Sequence, residues 1–176
     1  VMLSDSKGQI GIVSLESSGI KITDLITVDK TRIFKEMSFK NTDIDILEKT
    51  IKSSESISNA IDAGRIVTAA DSLGASKAML DKAVEYSKER KQFNRVIGSF
   101  QAVKHMCAEM ASELEPCYSL VWHAAHSFDN NEENKKLMAC HAKSHVSDVS
   151  KMISKKATEV HGLSLIHISE PTRLQQ

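Results

Sequence analysis

Hydrophobic positions along this chain change their spacing once, near residue 40. Before it stand short β-branched runs, IGIVSLE, IKITDLITV and RIFKEMSF, separated by Ser18 and Gly19 and by Asp29 and Lys30; they predict three strands within residues 9–39. Residues 41–54 are polar and loosely patterned and are expected to connect. Beyond them apolar residues recur three or four apart. Phe100, Val103, Cys107, Met110, Leu114, Tyr118 and Val121 form one such stripe, and Val146, Val149, Ile153, Ala157 and Val160 a second. The pattern predicts helices over about 56–91, 99–128 and 132–160, each roughly 40 to 50 Å long. In the first, Ala60, Ala63, Gly64, Ala69, Ala70, Gly74, Ala75 and Ala78 would let other backbones approach closely, which predicts the central helix of an antiparallel bundle. Pro116 is expected to kink the second, because an interior proline lacks a donor and clashes with the preceding turn, at a cost of about 3 kcal/mol.

Composition narrows the function classes. Lys plus Arg and Asp plus Glu both number 23, so the formal net charge of zero gives no electrostatic footprint for nucleic acid or an anionic membrane. No apolar run approaches a membrane span, and the first residues lack the form of a secretory signal. Cys107, Cys117 and Cys140, an odd number without CxxC spacing, suit reduced thiols in a cytoplasmic setting.

The junction between the first two helices holds the most chemistry. Residues 86–115 read YSKERKQFNRVIGSFQAVKHMCAEMASELE, with Asn94 and Gly98 marking the break. Arg90 offers a planar fork of donors suited to phosphate, while Gln92 and Gln101 can each donate and accept at a polar ring edge. On spacing alone, a solvated turn after a charged helix end explains the same residues.

Tyr86, Arg90, Phe93, Ile97, Phe100 and Gln101, followed by Ala108, Glu109 and Met110, resemble the C-terminal helical domain of the acyl-CoA dehydrogenase family, with Asn94 where that family has glycine. Asn tolerates the left-handed turn. The resemblance runs from about residue 11 to 162, and Asp29, Lys30, Thr31 and Arg32 resemble the turn near the end of the family's middle β-domain. It implies a mainly α fold, a partial antiparallel bundle preceded by a few strands. The expected divisions are 1–45, the end of the β-domain; 46–162, an incomplete helical bundle; and 163–176, outside the natural protein. Residues 163–173, LSLIHISEPTR, match the in-frame translation of a transposase adapter used in preparing DNA sequencing libraries, so the natural sequence is expected to stop near Gly162.

The resemblance further implies FAD-dependent α,β-dehydrogenation of an acyl-CoA thioester, in fatty-acid β-oxidation, with electrons passing to an electron-transfer flavoprotein or similar acceptor. It implies a homotetramer built as a dimer of dimers, or a heteromeric pairing with a paralogue. Arg90, Lys91, Gln92, Phe100 and Gln101 match positions that contact FAD across a dimer interface, and Glu159, Val160, His161 and Gly162 the start of a second segment passing close to it. Asp62 and Arg65 match a D-x-x-R segment beside the thioester; without that match they are an ordinary i, i+3 ion pair. Gly64 occupies the position where some branches carry the catalytic glutamate, and a glycine removes no proton. Other branches place the base in a segment absent from this sequence, so no catalytic residue is assigned, and Glu55, Glu85 and Glu159 are read as surface carboxylates. The parent is expected to be active and this chain inactive. The alternatives are a degenerate subunit of a heteromeric enzyme and a cofactor-free helical interaction module.

Other suggestive residues have plainer readings. Cys140, His141 and His145 are too few to complete a metal shell. His123 and His126, beside Trp122, suit packing or a solvent edge, and Met106, Met110, Met138 and Met152 suit core filling.

Overall fold

The computed structural model describes residues 2–4, 10–47 and 53–162. It divides into two compact units, Val1–Ser58 and Asn59–Gln176. In the first, β1 (Met2–Ser4), β2 (Ile10–Ile12) and β5 (Asp45–Ile46) form an antiparallel sheet of order β1-β2-β5, while β3 (Ile20–Asp24) and β4 (Lys35–Phe39) pair separately. Gly19, at φ 82°, turns the chain into β3, and a Cβ there would stand 2.0 Å from the Lys40 carbonyl oxygen.

The strands are shorter than their sequence runs. Both long runs lose residues to the 25–34 loop, whose Asp29 carboxylate accepts hydrogen bonds from the Thr31 amide at 2.9 Å and the Thr31 hydroxyl at 2.6 Å. Those local bonds compete with strand pairing. They also hold the Asp29 carboxyl below its ordinary pKa, the hydroxyl bond first. Leu25, Ile26, Val28, Ile33 and Phe34 are exposed on this loop.

Three helices follow, α1 (Ser53–Glu89), α2 (Gln101–Asp129) and α3 (Lys135–His161), and the fold is mainly α as the spacing predicts. α2 and α3 lie antiparallel, joined by a short turn and tied near the far end by Lys156 Nζ to Glu109 Oε2 at 2.6 Å. Both predicted stripes are inside. Val103, Met110, Leu114, Cys117 and Val121 meet Val146, Val149, Ile153, Ala157 and Val160, with Ala124, Ala139 and Ala142 letting the backbones close. Met106, Met138 and Met152 pack against this core as expected. Burial raises the pKa of the Cys107 and Cys117 thiols, keeping them protonated.

One helix expectation changes within this unit. α1 contributes Ile66, Ala69, Leu73, Leu80 and Ala83 to the core, yet Ala60, Gly64, Ala70, Gly74, Ala75 and Ala78 are exposed, so within this unit α1 is a flanking helix. The close helical pair is α2 with α3. Pro116 lies inside α2, which continues through it from Gln101 to Asp129. Residues 112 and 116 both lie on the exposed side, where the Ser112 carbonyl freed by the missing N–H can meet water. Trp122 also stands outside, 76% exposed on α2. The predicted connector holds β5 and lies partly outside the described residues, and 163–176 lies wholly outside them.

Candidate functional site

The junction between α1 and α2 is a built structure. Lys91–Gln92 and Arg95–Val96 pair antiparallel as β6 and β7, and the reversal is made by Phe93 at φ 52° and Asn94 at φ 61°. Two consecutive left-handed residues define the tight hairpin turn whose twist matches the strands. Asn94 suits it; Phe93 takes it under strain. The anticipated left-handed residue is therefore one of two.

Packing fixes the hairpin to α1. The Ile97 amide donates to the Arg90 carbonyl at 2.8 Å, the Arg90 amide to the Tyr86 carbonyl at 2.9 Å, and the Ile97 side chain is fully buried. A 3-10 turn, Ile97–Ser99, then lies so close to α1 that a Cβ on Gly98 would meet the Ser87 carbonyl oxygen at 2.9 Å. Phe100 sits under Arg95, whose guanidinium carbon lies 3.9 Å from the ring centre, and Phe93 meets the same ring edge-on at 6.1 Å.

These contacts leave a polar surface. Arg90, Lys91, Gln92 and Gln101 are all exposed, and among the described residues no hydrogen bond or ion pair engages their side chains. Gln101 opens α2, preceded by Phe100, which gives no side-chain cap. The first amides of that helix thus lack a side-chain cap. The donor set fits a pyrophosphate with a polar ring system attached.

The end of α3 comes to the same place. Val160 is buried in the core, Glu159 is half-buried, and Gly162 closes the helix with its amide donating to the Thr158 carbonyl at 2.9 Å. His161 stacks on Tyr86, ring centres 4.6 Å apart and planes 25° from parallel. The second group of predicted site residues thus reaches α1 at Tyr86, one helical turn before Arg90. Sequence reasoning missed Arg95 and the role of Tyr86; the two-residue hairpin spacing of KQFNRV was the available signal for the first.

The third group is elsewhere. Asp62 is buried to 1% exposure, and its carboxylate accepts a hydrogen bond at 2.5 Å from Arg65 Nη1. That burial distinguishes the pair from a surface i, i+3 contact. A carboxylate inside a helix face is retained only when partnered. Along α1 the pair lies roughly 40 Å from Arg90 at 1.5 Å per residue. Gly64, between them in sequence, has nothing within 4 Å of where a Cβ would project. Glu55 and Glu85 are exposed. His141 and His145 have ring centres 6.2 Å apart, and among the described residues no three His, Cys, Asp or Glu cluster as metal ligands. His123 and His126 face solvent.

Comparison with known proteins places the chain. The family model for the acyl-CoA dehydrogenase C-terminal domain matches residues 54–174, and the chain belongs to the acyl-CoA dehydrogenase family. A caffeyl-CoA reductase-Etf complex subunit of Acetobacterium woodii is 41% identical over 102 residues, covering 58% of this chain and 27% of that protein. A 3-(aryl)acrylate reductase of Clostridium sporogenes is 37% identical over 118 residues, covering 67% and 31%. The butyryl-CoA dehydrogenase of Megasphaera elsdenii superposes with a TM-score of 0.82 at 27% identity, covering 92% of this chain and 44% of that one. The chain thus spans about a third or less of the curated relatives named here. Among the described residues no helix is long and apolar enough to cross a membrane.

Proposed function

We propose that this chain is part of a flavin-dependent acyl-CoA dehydrogenase and supplies one half of an FAD site formed between subunits. The observation that supports this reading is the exposed set Arg90, Lys91, Gln92 and Gln101 on the turn that follows Tyr86, on which His161 at the end of α3 stacks, while Asp62 and Arg65 stand at the other end of α1. The two groups are roughly 40 Å apart along one helix. On this reading the two ends serve different active sites in an oligomer.

FAD supplies the hydride acceptor. Arg90 pairs with its pyrophosphate, Gln92 and Gln101 meet its polar edges, Phe100 backs the surface, and the backbone of residues 159–162 borders it. Asp62 holds Arg65 in position toward an acyl-CoA thioester. No catalytic base is assigned, since Gly64 can accept no proton, and the 176-residue chain alone is expected to be inactive. The domain divisions at 45 and 162, residence in the cytoplasm and the adapter origin of 163–176 belong to the same proposal. Sequence across residue 162 in an independently prepared library tests the last; recovery of the same tail would end it.

One relative is named a caffeyl-CoA reductase-Etf complex subunit and another a 3-(aryl)acrylate reductase, which favours a second reading in which the parent saturates an α,β-unsaturated aryl thioester and receives its electrons from a flavoprotein. Assaying both directions with matched saturated and unsaturated thioesters separates the two.

The cofactor role is tested in the longer protein recovered from its gene. Arg90→Ala removes a charge-assisted contact worth about 1.5 to 3 kcal/mol, so FAD affinity falls about tenfold to a hundredfold. Lys136→Ala, on the exposed start of α3, leaves it unchanged. Flavin retained after dilution and gel filtration gives the answer, and equal retention by wild type and Arg90→Ala returns Arg90 to a solvated turn.

A further inference from the structure

We propose that Tyr86 and His161 are positioning residues which latch the end of α3 to the turn carrying Arg90, so that the two cofactor-facing segments behave as one surface. This rests on the flavin half-site reading above.

The latch is a chain of contacts. His161 Nδ1 lies 2.7 Å from the Ala157 carbonyl oxygen, which can only accept, so Nδ1 carries the proton and the ring is oriented by its own helix. The oriented ring lies flat on Tyr86. The Tyr86 carbonyl receives the Arg90 amide, and the Arg90 carbonyl receives the Ile97 amide from the far side of the hairpin. A displacement of the imidazole thus reaches Arg90 through one ring contact and one backbone hydrogen bond.

Val160 anchors the last turn of α3 in a core shared with Leu80 and Ala83 of α1, and the His161 ring adds a contact nearer the turn, on Tyr86. Helix ends without packing open easily. The pair acts on the placement of Arg90 and of the Gly162 backbone.

Amide hydrogen exchange of the 176-residue chain reads the latch without cofactor. His161→Leu and Tyr86→Leu keep apolar volume but remove the stack, and each should speed exchange at Gly162, Arg90 and Ile97 by about threefold to tenfold, the scale of one aromatic pair. The double variant should add nothing, and Tyr86→Phe, which keeps the ring, should match wild type. Acceleration at Gly162 alone in His161→Leu, with Arg90 and Ile97 unchanged, overturns the coupling. In the longer protein, Tyr86→Leu should weaken FAD binding by about threefold to tenfold while Tyr86→Phe does not. Loss of FAD in Arg90→Ala with full retention in Tyr86→Leu overturns the positioning role and leaves the half-site reading standing; full retention in both overturns both.

Discussion

The α2–α3 seam and the outer face of α1 are both rich in small residues, and they use them in opposite ways. Ala124, Ala139 and Ala142 are fully buried, and their lack of side-chain bulk lets two backbones close on one another. Ala60, Gly64, Gly74 and Ala78 are exposed, and a Cβ at either glycine would meet no atom within 4 Å. Small residues permit close approach but do not compel it. What compels it is the large apolar stripe beside them, present on α2 and α3 as Met110, Leu114, Val146 and Ile153 and largely absent from the outer face of α1.

The most severe way to break the seam is Ile153→Ala. It empties a fully buried site, and thermal or urea unfolding followed by circular dichroism should register a loss of about 2 to 5 kcal/mol. A smaller effect is expected at the hairpin, where Gly98→Ala drives a methyl onto the Ser87 carbonyl; the same measurement should show about 1 to 3 kcal/mol of destabilisation. Gly64→Ala sharpens the contrast. On an open helix face it should stabilise α1 by about 0.5 to 1 kcal/mol, since alanine loses less backbone entropy on folding and meets no obstacle. A destabilised Gly64→Ala protein would mean that another surface covers this face in solution, and sedimentation of wild type against variant would then differ.

Much of this was legible in the residues. The three helices lie within a few positions of their expected bounds because the stripes from Phe100 to Val121 and Val146 to Val160 are long and regular, the condition under which period is informative. The 20–39 hairpin was found but its strands were overextended, because β-branched composition does not reveal that Asp29 bonds Thr31 instead of a neighbouring strand. The small residues of α1 do not by themselves show whether its outer face is covered, because alanine and glycine suit a crowded face and an open one equally. At the site, Arg90, Lys91, Gln92 and Gln101 could be listed together because 11 positions separate their ends. The meeting of His161 with Tyr86 could not, since 75 positions separate them and the contact depends on how α3 returns along the bundle.

Trp122 is the chain's one tryptophan, and its outward position has a practical cost. An indole already in water when the protein is folded changes its surroundings little when the helices come apart. Intrinsic fluorescence, the usual first view of a melting protein, would look past the loss of the core in which Ile153 and Met110 sit. A flat emission trace from this chain reports the location of its only indole and carries no information about whether the bundle has survived.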